Sequence, residues 1–224
     1  MYFVACNLLI TNSVLMKINK FFALGGVVGP ILFIVMTSYF GSIRLGYNHM
    51  HQFISELGAT GTANAQLMNF AGFIPSGILI AVFGISLLMV LKKQKYAAIG
   101  SASIIFFGLG ILVDGFFSCD AGCPEAGSME NMIHNAVAPI AFLAAIVGTG
   151  LLGFSFKRTP AFYSLWKYSI FTCFISFVSL LALLASLESR MFTGLWQRLL
   201  LLSIFLWCGI VGLRIFKLGN NKKP

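Results

Sequence analysis

The chain has 224 residues, of which 58% are hydrophobic and only 9% charged, with 23 Phe and 23 Gly. An ordinary soluble domain is about 25% charged, so composition excludes one and points to an all-α, polytopic integral membrane protein. The net charge of +9 would suggest nucleic acid only if the bases formed one patch; they are spread along the chain, and no nucleic-acid partner is expected.

Residues 1–16 are apolar and lack a basic start, which argues against a secretory signal. They read as an interfacial segment or as an extension ahead of a second possible start at Met16. Six apolar segments follow: Phe21 to Phe40, Leu67 to Leu91, Tyr96 to Phe117, Met132 to Phe154, Tyr168 to Leu187 and Leu199 to Phe216. At 1.5 Å per residue each covers a hydrocarbon core of about 30 Å. Unpaired backbone cannot face lipid, so each is expected to be a helix. The six-helix domain is expected over 17–217, with a short basic tail at 218–224.

Charge sets the expected orientation. Twelve of the fifteen Lys and Arg residues fall in Lys17 to Lys20, Lys92 to Lys95, Lys157 to Lys167 and Arg214 to Lys223. By the positive-inside rule these face the cytoplasm. The expectation is three hairpins in the cell (inner) membrane, both termini cytoplasmic, with outer connections at 41–66, 118–131 and 188–198. Glycines such as Gly25, Gly108 and Gly148 suit close helix packing in lipid. No internal repeat supports an inverted-repeat transporter.

All three histidines and all six acids fall on the expected outer side. Ionisable groups in an apolar chain are costly and often mark function. Asp114 and His134 each lie about one turn inside a helix end of one hairpin, so they can face each other. Such a pair either locks the hairpin or forms an acid-base or metal site. His51 and Ser55 are four apart and would share a helical face, either as a base and its nucleophile or as part of an interfacial turn ending at Gly58. These four residues are the catalytic candidates. His49, His51, Asp114 and His134 are weak candidates for zinc, because His49 and His51 point to different sides of a helix. Cys119 and Cys123 are expected to form a disulfide across a turn before Pro124; Cys6, Cys173 and Cys208 read as small hydrophobes. Asn69 and Ser76 can hydrogen-bond inside the bundle. Arg44, Arg190 and Arg198 can pair with the acids or hold a lipid phosphate.

The segments "FISELGATGTANAQLMNFAGF", "GLGILVDGFFSCDAGCP" and "ENMIHNAVAPIAF" resemble the prokaryotic six-helix family catalogued as domain of unknown function 998, from about residue 20 to 216. More distantly they resemble the superfamily of the damage-regulated autophagy modulators and the lipid-anchor-remodelling proteins. Ile54, Ser55, Glu56, Gly58, Asn69 and His134 match its motifs, with Glu56 where many relatives have Asp. That resemblance implies work on lipid anchors or phospholipid distribution. The ceramidase-like hydrolases also invite comparison, but the last two helices here contain no His.

The expected function is to bind or handle a lipid headgroup in an outer-leaflet cavity floored by Asp114 and His134 and lidded by Ser55 to Gly58. Its ligand-binding residues are expected to be Ser55, Glu56, Asn69, Asp114, His134 and Arg198. The alternatives are a metal-assisted or acid-base lipid hydrolase or transferase, and a structural or regulatory partner of another membrane protein. No cofactor is assigned. The expected partners are membrane lipids, with a protein partner or a second copy compatible with the sequence.

Overall fold

The computed structural model describes the backbone of residues 2–91 and 95–220 and the side chains of 19–91 and 96–220. Met1, the side chains of the expected 1–16 extension, those of Lys17 and Lys95, the residues Lys92 and Lys93, and 221–224 of the expected tail lie outside the described residues. Among the described residues the regular structure is entirely helical.

Six helices are long and apolar enough to cross a membrane. We label them α1 (Tyr2–Ile43, apolar from Asn19), α2 (Ala65–Leu91), α3 (Lys95–Phe116), α4 (Met129–Lys157), α5 (Trp166–Ala185) and α6 (Thr193–Asn220). The protein is therefore a multi-pass membrane protein. After α1, two starts come three or more residues earlier than hydropathy alone places them. Ser128 caps α4, its Oγ accepting from Asn131 N at 3.2 Å, so the helix begins three residues before the apolar run. The first turn of α6 is held from outside: Leu195 N donates to Met50 O at 2.9 Å, and Thr193 Oγ1 donates to His51 O. Gln197 and Arg198 are thereby drawn into a helix although they are polar.

In α2, Pro75 has no N–H to offer the preceding turn. The helix widens ahead of it into a π turn over Met68–Phe73, and Ile74 N donates to Asn69 O, as such insertions commonly do. The π turn carries Asn69 and Phe73 toward the loops.

Each helix packs on the next in chain order, and α1 packs on α6, so the six form a closed ring; contacts across it are sparse. Small residues bring the walls together. A Cβ on Gly77 or Gly108 would come within 2.7 Å of the other's carbonyl oxygen, so α2 and α3 pack this closely only as glycines allow. The middle of the ring is filled by aromatics. Phe33 meets Phe73 and Phe205 at 5.4 and 5.1 Å, and Trp207 lies against Phe83 and Phe156 at 6.2 and 6.3 Å. Trp207 Nε1 donates to Ser169 Oγ at 2.8 Å, so the buried indole is satisfied. On one side of this plug lies a polar end built from the connections 44–64, 117–128 and 186–192; on the other lies a basic end.

Candidate functional site

The three connections at the polar end are stitched into one cap. Glu56 closes the short 3₁₀ turn Ile54–Gly58 on itself, its carboxylate accepting from Phe53 N at 3.0 Å and Gln52 Nε2 at 2.7 Å. Asn69, from the π turn, donates to Gly58 O at 3.0 Å and to Ser118 Oγ at 2.8 Å. Thr60 N donates to Cys119 O at 2.9 Å. Arg198 donates to Gln52 O, Gly194 O and the Tyr47 hydroxyl at 3.1, 3.0 and 2.6 Å. Glu56, Asn69 and Arg198 thus hold the cap in shape.

Among the described residues the cations of the cap do not pair with acids. Arg44 donates to the Glu56 backbone carbonyl, and Arg190 donates to Gly122 O and Cys123 O at 3.4 and 3.1 Å while lying over the Phe53 ring. Backbone carbonyls in the tight turns lie nearer these guanidinium groups than any carboxylate does. Electrostatics in the cap follow from the same contacts. Burial and the Arg198 cation lower the pKa of His49 below the ordinary imidazole value. Burial outweighs Arg198 at Tyr47 and raises its pKa. Two hydrogen bonds from Ser128 to Asp120, both 2.8 Å, lower the Asp120 pKa.

Cys119 and Cys123 are joined by a disulfide with Cα atoms 5.0 Å apart. Ser55 Oγ lies 3.5 Å from Cys123 Sγ. His51 is turned the other way: its Nδ1 accepts from Phe192 N at 3.1 Å and its ring lies against Phe192. No hydrogen bond joins His51 to Ser55 among the described residues, so a nucleophile and base are not assembled there.

Beneath the cap lies a cavity of about 350 Å³, within the size range of small-molecule sites. Ser55, Asp114, His134 and Gln197 reach it from four different elements, and Glu125 and Arg190 line it from the loops. His134 Nδ1 is 3.4 Å from Asp114 Oδ1 but 3.1 Å from Phe117 O, to which it donates. Because a carbonyl can only accept, Nδ1 carries a proton, and in the neutral ring Nε2 is left as an acceptor. Asp114 Oδ1 is buried with no hydrogen-bond partner.

The rest of the cavity is apolar. Ala138, Pro139 and Phe142 of α4 line it opposite Leu180, Leu183 and Leu184 of α5 and Leu187 just beyond its end. These two helices touch nearer the basic end, where a Cβ on Gly150 would meet Cys173 and one on Gly153 would meet Ile170. Toward the polar end both helices line the cavity, and Leu184 and Leu187, 49% and 40% exposed, belong to both the cavity wall and the outer surface. The cavity therefore opens sideways between α4 and α5.

Among the described residues no three His, Cys, Asp or Glu side chains come together in a group able to hold a metal. His49 and His51 belong to the cap, while Asp114 and His134 belong to the cavity.

A family model described as "Protein of unknown function (DUF998)" matches residues 27–214. The chain belongs to the DUF998 family. No curated protein and no solved structure matches it. The matched span of this DUF998 protein reaches from within the first transmembrane segment to within the last and includes the cap and the cavity, so the site lies within the family's domain. Sequence reasoning missed Gln197 as a cavity residue and offered Arg190 only as a base that pairs with acids or holds a lipid phosphate. A polar residue just ahead of the last apolar run was a signal for Gln197; Arg190 carried none beyond being a base on the sparsely basic side.

Proposed function

We propose that this protein binds a membrane lipid by its headgroup in the cavity, with the polar end facing the outer leaflet of the cell membrane. The observation that carries this reading is the juxtaposition, in one cavity, of a buried carboxyl without a hydrogen-bond donor and an apolar wall open toward the hydrocarbon. A purely structural pair would close on itself; a buried polar atom left unpaired costs about 1–3 kcal/mol. A headgroup that supplies the missing donor offsets that cost while its chain lies against Leu180 to Leu187. Ser55, Asp114 and His134 contact the headgroup in this reading, and Glu56, Asn69 and Arg198 keep the cap over it. The orientation rests on the basic inner connections.

The test is to purify the full chain in mild detergent and quantify copurifying lipids by mass spectrometry. Retention of lipid is expected for the wild-type chain and is expected to fall for Asp114→Asn and His134→Ala. Unchanged retention in both variants, with intact melting behaviour, would sink the proposal.

A further inference from the structure

Building on the lipid-binding reading, we infer that the preferred ligand is a zwitterionic phospholipid with a primary ammonium headgroup, its nitrogen lodged at Asp114 and its phosphate at the rim. The polar groups of the cavity are sorted by hydrogen-bonding character. At depth, no hydrogen bond from the protein reaches either oxygen of Asp114 among the described residues, and His134 presents Nε2 as an acceptor because Nδ1 is committed to Phe117 O. The Asp114–His134 corner of the cavity thus presents acceptors with no protein donor committed to them among the described residues. A headgroup placed there brings N–H groups, and one that also carries positive charge compensates the carboxylate form of Asp114.

The rim has the opposite character. Arg190 uses two of its N–H groups on Gly122 O and Cys123 O, and a guanidinium has five. Gln197 also lines the cavity but is buried; it takes Ile54 N on its carbonyl oxygen at 2.7 Å and keeps its amide N–H groups as donors. Arg190, exposed at the rim, can meet a phosphate. Glu125 shares the rim, which disfavours a headgroup bearing net negative charge. An ammonium at depth and a phosphate at the rim, with hydrocarbon leaving between α4 and α5, match this order of acceptor, donor and apolar wall.

The test uses the full chain in nanodiscs or mild detergent, with native mass spectrometry as the readout. The probes are phosphatidylethanolamine, its N-methyl and N,N-dimethyl derivatives, phosphatidylcholine and phosphatidylglycerol, all with identical acyl chains. The methylation series removes N–H donors one at a time while the positive charge stays. Retention is expected to fall along the series and to be about tenfold lower for phosphatidylcholine, the size expected for loss of one charge-assisted bond. Asp114→Asn is expected to remove the discrimination and Asp114→Glu to keep it. The series in the wild-type chain stands without either variant if Asp114→Asn does not fold. Equal retention of phosphatidylethanolamine and phosphatidylcholine would overturn the ammonium assignment and leave lipid binding in place. Preference for phosphatidylglycerol would also overturn it. Retention of none of the five would overturn the lipid-binding reading itself.

Discussion

Gln197 Oε1, inside the last helix, accepts a hydrogen bond from the backbone N–H of Ile54 at 2.7 Å, across 143 positions of sequence. Both residues are buried, so water cannot replace the bond. Gln197→Leu is expected to lower stability by about 1–3 kcal/mol, the cost of a buried donor left unpaired. Thermal unfolding in detergent, followed by circular dichroism, measures it; a variant that melts with the wild type would show that the contact does not anchor the cap.

Gly58 and Asn69 fit together only because Gly58 has no side chain. A Cβ there would strike Asn69 Oδ1 and push the amide off its bonds to Gly58 O and Ser118 Oγ. Gly58→Ala is expected to cost on the order of 1–3 kcal/mol. Because Asn69→Ala both loses those bonds and clears the clash, the double variant should cost less than the sum of the singles. Additive melting shifts would contradict this coupling.

The disulfide between Cys119 and Cys123 closes a short loop, with a sequence separation of 4. In the chain-entropy account such a small ring contributes about 2 kcal/mol. Replacing both cysteines by serine is expected to lower the melting point modestly while the transmembrane helix content stays. Loss of helical signal at room temperature would assign the bond a larger role than loop closure.

Acid should loosen the cap. His49 has a folded pKa below the 6.5 of the free side chain, through burial and Arg198, so the unfolded state binds the proton more readily. Stability from this group is full above about pH 6.5 and declines as pH falls below it. Asp120 adds a second loss at lower pH: its pKa is depressed below 3.8 by Ser128, so its contribution is present above that value and lost as the carboxyl protonates. Hydrogen exchange in residues 44–58 is expected to speed up between pH 7 and pH 5, and His49→Gln to flatten that change. Exchange independent of pH, after correction for intrinsic rates, would refute it.

The six membrane segments were legible because each apolar run is long and nearly uncharged, a signal that survives errors at its ends. The ends were less legible. Thr193 to Arg198 looked like loop because the bonds that make it helical come from Met50 and His51, far away in sequence. The closeness of Asp114 and His134, 3.4 Å apart, could be read from their similar depth in one hairpin. The commitments of Glu56, Asn69 and Arg198 could not, since a side chain that bonds its own turn and one that faces a cavity are the same letter in a sequence. The sideways opening was equally hidden, because it depends on which residues of α4 and α5 line the cavity toward one end while the helices touch at the other.

The aromatic plug has a kinetic consequence. Phe33 and Phe73 line the cavity, and behind them Phe205, Phe83, Trp207 and Phe156 are all buried. Among the described residues these aromatics stand between the cavity and the basic end. In the proposed lipid-binding reading an occupant is held above them, so its residence time beside α4 and α5, rather than transit across the bilayer, sets how fast it is exchanged.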